Sequence, residues 1–193
     1  MVVSLGQFDF MHRKFSNFRP HKLQSDSIIT RFKHCAIKKL NLSSLEGDWK
    51  LAYYMDPLMH GYSVNLILKS RDGGTTLVGT MTVNGHIHQI NLKRANDDID
   101  GVLINELSPQ HTNNTDDGHG GSKVPVVIIA AEPSKYFVSW QGGKDGLKRQ
   151  DWAIYQRSNL TVLAKGEIEQ ATAGLKCLEM ANKYGAIMIY AVT

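Results

Sequence analysis

The chain of 193 residues lacks most of the features that announce a function. No run approaches the roughly 20 apolar residues that a membrane helix needs, which excludes a bilayer-spanning helix. Five prolines and 17 glycines are too few and too dispersed for a collagen or low-complexity chain. Spread among many short apolar runs, the glycines suit a turn-rich β protein instead. The two cysteines, Cys35 and Cys177, permit one intramolecular bridge and no larger framework. Gly-x-Ser-x-Gly, P-loop and His-Glu-x-x-His patterns are all missing. The acidic pairs Asp97-Asp98 and Asp116-Asp117 read as solvated turn formers, so the sequence points away from an enzyme.

Acidic residues are scarce in the first 40 positions, where Asp9 and Asp26 face eight lysines and arginines. The whole chain has a net charge of +4, so residues 41–193 are slightly acidic and the basic pI belongs to the leader. The expected organisation is a basic N-terminal extension, residues 1–40, disordered or partly removed, followed by one domain over 41–193. Nucleic-acid binders carry their basic footprint on folded elements with aromatic platforms. This arm reads as solvated, and no nucleic-acid partner is expected. The opening MVVSLGQFDF shows neither the apolar core nor the small-residue cleavage site of a secretory signal. Three N-x-[ST] sequons, at Asn41, Asn113 and Asn159, nevertheless favour a secreted glycoprotein. Spacing alone leaves Cys35 and Cys177 open, as two buried thiols or as a bridge. A bridge closing so long a loop would contribute roughly 4–5 kcal/mol in the chain-entropy model.

From residue 47 the hydrophobic pattern has a period of two. Trp49, Leu51, Tyr53 and Met55 alternate with Lys50, Ala52 and Tyr54, and Val64, Leu66 and Leu68 alternate with Asn65, Ile67 and Lys69. Runs 75–83 and 86–93 flank Asn84-Gly85, the strongest short-range hairpin signal, since both residues tolerate the positive φ of a type I′ turn. Further runs at 101–107, 124–131, 136–141 and 151–157 complete eight short strands with hairpin-length links, the pattern of an up-and-down barrel or a sandwich. In a meander, alternate connections share an end. Those at 56–62, 84–85, 108–123 and 141–150 then gather at one rim, an open mouth opposite a closed floor. Beyond Arg157 the period changes: Ile168, Ala171, Leu175 and Leu178 recur at helical spacing. The expected helix, about 167–184, ends at Gly185 and precedes a last strand at 187–192.

Leu45-Glu46-Gly47-Asp48-Trp49, opening the first strand, resembles the Gly-x-Trp signature of lipocalins, and Tyr155-Gln156-Arg157 resembles the family's closing Arg. The helix followed by a final strand is similar to the family's order, and the resemblance covers roughly residues 40–193. The family's middle signature, Thr-Asp-Tyr, stands here as Ser134-Lys135-Tyr136, with only the Tyr kept. The resemblance implies an all-β, eight-stranded antiparallel up-and-down barrel with a C-terminal α-helix packed on its wall and a short final strand. It gives Gly47, Trp49 and Arg157 structural roles, with the guanidinium laid over a floor indole. It also implies a disulfide between Cys35 and Cys177.

A barrel of this size has room for side chains or one small ligand. With Trp49 inward, the expected lining is Tyr53, Met55, Leu66, Leu68, Met81 and Val83, then Tyr136, Val138, Trp140 and Trp152, with Tyr62 at the rim. Of the mouth histidines His60, His86, His111 and His119, the first pair to weigh is His86 with His88, which share a strand face. They would suit haem iron, propionates or bilin carboxylates; no metal site is otherwise indicated, because the spacing matches no zinc pattern. The function implied is transport or sequestration of a small hydrophobic ligand such as a bilin, retinoid, carotenoid or fatty acid, with no cofactor required. A haem or biogenic-amine scavenger, and an interaction module with a filled barrel, are the alternatives. A homo-oligomer is compatible with either.

Overall fold

A computed structural model describes residues 33–54, 62–95, 99–106, 123–143, 146–177 and 190–191. Eight antiparallel strands follow in chain order: β1 (Gly47–Tyr54), β2 (Val64–Arg71), β3 (Thr76–Val83), β4 (His86–Arg94), β5 (Val102–Glu106), β6 (Lys123–Glu132), β7 (Tyr136–Gly143) and β8 (Gly146–Arg157). Each pairs with the next, and β1 pairs with both β2 and β8, which closes the barrel. A ninth strand, β9 (Tyr190–Ala191), pairs with β1 at Tyr53 and Tyr54. Among the described residues, no helix is long and apolar enough to cross a membrane.

The β3–β4 hairpin turns on Asn84 and Gly85, whose φ values of 47° and 85° fit the turn that twists with its strands. The β7–β8 connection differs from the long loop expected over 141–150. Strand β7 runs on to Gly143 and β8 begins at Gly146, paired through Gln141↔Asp151 and Gly142↔Gln150. Backbone ladder bonds do not depend on side chains, so a Gly- and Lys-rich composition can still pair, here strand against strand across the hairpin. Strand directions put the β1–β2, β3–β4, β5–β6 and β7–β8 connections at one end, as the meander arithmetic requires.

The other end is sealed. A single 3-10 turn, Leu42–Leu45, is capped by Asn41 Oδ1, which accepts the Ser43 N–H at 3.1 Å. It lays Leu42 and Leu45 across the floor beside Trp49, and all three are fully buried. The indole donates from Nε1 to the Leu45 carbonyl at 2.9 Å, and its ring meets Phe137 edge-on at 4.8 Å. Arg157 closes the stack, its Cζ 3.8 Å from the Trp49 ring centroid. The guanidinium donates to three backbone carbonyls: Pro133 through Nε at 2.8 Å, Ser44 through Nη2 at 3.1 Å, and Glu46 through Nη1. Gly47 sits beneath it at φ 111°, where an added Cβ would lie 2.6 Å from Nη1. Conformation and space therefore both require glycine there.

A helix, α1 (Lys165–Ala173), packs on the outer wall. Ala171 and Leu175 are buried against Val127, Val138, Trp140 and Ile154, and Gly174 lets the chain approach Ile129 closely. The helix starts two residues before the expected Glu167 and lacks a side-chain cap at Ala164. Glu167 compensates, accepting the Ala164 N–H at 2.7 Å and pairing with Lys135 at 2.7 Å. Residues 33–40, assigned by composition to the basic extension, are in fact packed on the barrel. Ile37 donates to Ile128 O at 2.9 Å and accepts from Gly101 N at 3.0 Å. The Arg94–Asp100 ion pair holds the Leu40 backbone from both sides. Cys35 is bridged to Cys177, tying this segment to the chain beyond α1. Expectations for residues 1–32, for Leu178 and for the rest of the final strand lie outside the described residues.

Four variants test this frame. Arg157→Ala leaves three carbonyls and an indole face without their partner, and should cost about 2–4 kcal/mol, read as a fall of roughly 5–15 °C in melting temperature. Arg157→Lys should recover less than half, because one ammonium cannot span three acceptors. Replacing Cys35 and Cys177 by serine should cost about 2–5 kcal/mol by denaturant titration. The Lys135 hydrogen bond, then the Ala164 N–H, holds the Glu167 carboxyl below its ordinary range. Its contribution is therefore present above the unfolded carboxylate pKa and lost as pH falls through the lowered folded value. Glu167→Gln should melt earlier than the parent near neutral pH, and thermal scans at about pH 2 should no longer separate the two.

Candidate ligand cavity

Pairing register decides what faces the interior. Trp49 stands opposite Leu66 and Arg157, Leu66 opposite Met81, and Met81 opposite His88. Leu92 stands opposite Asn105, and Leu103 opposite Val126. Carrying the same face onward through Val126↔Gln141 and Ile128↔Ser139 gives Gln141, Ser139 and Phe137 on β7, and Tyr155 on β8.

Above the floor these residues enclose a partly open cavity of about 170 Å³. Its apolar wall comes from Leu45, Leu66, Leu68, Leu77, Leu92 and Phe137, with Val126 and Ile128 from β6. Phe137 stacks on Tyr155 at 5.0 Å, which carries the aromatic surface up from the floor. A polar side is built from His88, Asn105, Ser139 and Gln141. Asn105 is the most enclosed of these, at 5% exposure. Its Oδ1 accepts the Asn91 backbone N–H at 3.2 Å, beside a ladder in which β4 and β5 share only three residue pairs. Among the described lining residues there is no Lys, Arg, Asp or Glu.

Of the residues expected to line the barrel, Leu66, Leu68, Met81 and His88 do so. Tyr62 and Val83 pack higher, with Leu51, Tyr54 and Val64. His86 is exposed at the mouth end of β4. Tyr53, Tyr136, Val138, Trp140 and Trp152 face the other way. They belong to the outer cluster beneath α1 and the bridged segment, together with Ile154. Two physical causes account for this correction. A bulge between Leu51 and Tyr53 turns Tyr53 outward and Tyr54 inward, as an inserted residue must. On β7 and β8 both faces carry large side chains, because one lines the barrel and the other lies under α1. Period-two alternation cannot choose between two apolar faces. Met55, His60, His111 and His119 lie outside the described residues. Apart from His88, the polar side was missed with the face: Asn105 shows in sequence only as one amide in the short run Val102-Leu103-Ile104-Asn105.

No protein-family model matches the chain, and no curated protein matches it in sequence. The structure is similar to insecticyanin from the tobacco hornworm Manduca sexta, at 14% identity over 82% of each chain with a TM-score of 0.56. It is also similar to lobster apocrustacyanin A1, at 14% identity over 90% of this chain and 87% of that one, TM-score 0.54. Apocrustacyanin C2 aligns at 18% identity over 81% and 82% of the two chains, with a TM-score of 0.50. These neighbours are lipocalins, and the closed eight-stranded barrel with its C-terminal helix has a lipocalin-like fold.

Proposed function

We propose that the protein carries or sequesters a small hydrophobic molecule inside the barrel. The observation that supports this is a hollow above a sealed floor. Trp49, Leu42 and Leu45 are fully buried at one end, and beyond them the inner core leaves a partly open, mostly apolar cavity of about 170 Å³. Burial of an apolar ligand there would be driven by roughly 25 cal/mol per Å² removed from water, with a few polar groups setting orientation. A carrier of this kind needs no catalytic group and no resident cofactor. Among the ligand classes raised by the sequence, a cavity of about 170 Å³ favours the smaller. A retinoid or fatty acid would insert one end, whereas a bilin, carotenoid or haem would have to sit largely at the mouth. Secretion is supported by the Cys35–Cys177 bridge, which persists in oxidising compartments. Two of the three sequon asparagines, Asn41 and Asn159, are exposed as glycosylation would require.

Thermal-shift and native mass spectrometry measurements against retinol, palmitate, biliverdin, a carotenoid, haem and one-ring aromatic solutes test the reading. At least one should raise the melting temperature saturably, by roughly 5–10 °C at a hundredfold excess over its Kd. If none shifts it, and organic extraction of freshly purified protein releases nothing, the carrier reading fails and the interaction-module alternative takes its place.

A further inference from the structure

We infer that the cavity selects an uncharged molecule of about one ring, bearing a hydrogen-bond acceptor such as a ketone or aldehyde oxygen held by the side-chain amide of Asn105. This inference rests on the carrier reading and narrows it. Size comes first. A dry engineered cavity of about 150 Å³ takes up a single benzene, whereas pockets for drug-sized ligands run to roughly 300–1,000 Å³. The hollow here, about 170 Å³ and partly open, is closer in size to the former.

Charge comes second. A carboxylate moved into an apolar enclosure must be paired to be tolerated, and no Lys or Arg lines the cavity among the described residues. A primary amine meets the same obstacle, since no Asp or Glu lines it either. Neutral ligands are left.

Polarity comes third. Asn105 is nine-tenths buried, and its carboxamide orientation is fixed because Oδ1 takes the Asn91 N–H. Nδ2 is the atom left to meet a ligand, and among the described residues it donates to none. A donor beside an apolar hollow meets less competing water than one at a wet surface, so a ligand oxygen brought to Nδ2 gains more there. The Ser139 hydroxyl, on the same polar side, tolerates either donor or acceptor. Asn105, the most enclosed polar residue of that side, therefore asks for an acceptor.

Three nearly isosteric one-ring probes separate these arguments: acetophenone, α-methylstyrene, in which a methylene replaces the carbonyl oxygen, and benzoate. Protein-observed NMR titration should show acetophenone binding about fivefold tighter than α-methylstyrene, with no saturable binding of benzoate. In the parent protein the Asn105 side-chain amide resonances should shift with acetophenone and not with α-methylstyrene, a readout that needs no variant. Asn105→Leu, checked for fold by circular dichroism, should bring the acetophenone to α-methylstyrene affinity ratio from about five to about one. Equal binding of the two neutral probes, or benzoate binding as tight as acetophenone, overturns the inference. So does saturable binding of retinol or palmitate with none by the one-ring probes, although the carrier reading then stands. Failure of every probe, small and large, removes both.

Discussion

Arg157 holds the closed end of the barrel, and most of what lies above depends on it. The last residue of β8 reaches across to the first residues of β1 and to the chain before them, and three carbonyls and an indole converge on one guanidinium. Burial lowers its pKa somewhat and Asp48 works in the opposite direction; neither matters for charge, since arginine stays protonated in proteins. The geometric consequence is larger. A planar fork with donors in fixed directions sets the spacing of the Ser44–Glu46 segment relative to Pro133, and so fixes where β1 enters. Without that pin the seam between first and last strands would rest on ladder bonds alone, and the register that aims side chains into the hollow would have less to hold it.

Two cores share one wall. The inner core runs from the floor through Leu68, Leu77, Leu92 and Phe137. The outer core lies between β6–β8, α1 and the segment around Cys35. A strand serving both must be apolar on each face, and β7 is: Tyr136, Val138 and Trp140 look out while Phe137 looks in. The three largest buried aromatics are thereby divided. Trp49 stops the barrel, and Trp140 and Trp152, Cα partners across the β7–β8 ladder, build the seat for the helix. The bridge from Cys35 to Cys177 clamps that outer layer without touching the hollow. Its loss should cost stability while leaving cavity shape to the barrel.

How much of this was legible follows the kind of signal each feature leaves. Asn84-Gly85 demands a particular backbone conformation, so its hairpin could be placed to the residue. Trp49 and Arg157 stand at the two ends of the meander, and their pairing was legible through the family resemblance. Cys35 and Cys177 could be joined through the family resemblance, while spacing alone left them open. Side-chain face on β7 and β8 was not legible, because the deciding fact is a helix packed from outside, far along the chain. Nor was Tyr53, whose direction turns on a single bulge. The polar side of the cavity went unseen for the same reason: Asn105, Ser139 and Gln141 become neighbours only when Leu92↔Asn105, Leu103↔Val126 and Val126↔Gln141 are combined, and an error of one residue in any of those pairings would move the set to the outside.

That dependence bears on how a hollow survives in a small barrel at all. Interiors pack to crystal-like density, and an apolar void forgoes contacts that side chains could supply. Here the largest side chains, the three tryptophans, are committed elsewhere. Trp49 lies flat in the floor beneath Arg157, and Trp140 and Trp152 are turned outward beneath α1. The inward positions at mid-height go to residues that stop short, such as Leu66, Val126, Ser139 and Asn105. Gly79, on the same inward face between Leu68 and Ile90, contributes no side chain at all. The space is thus a consequence of where bulk was placed, and the amide left at its edge has its acceptor already occupied and its donor still to be met.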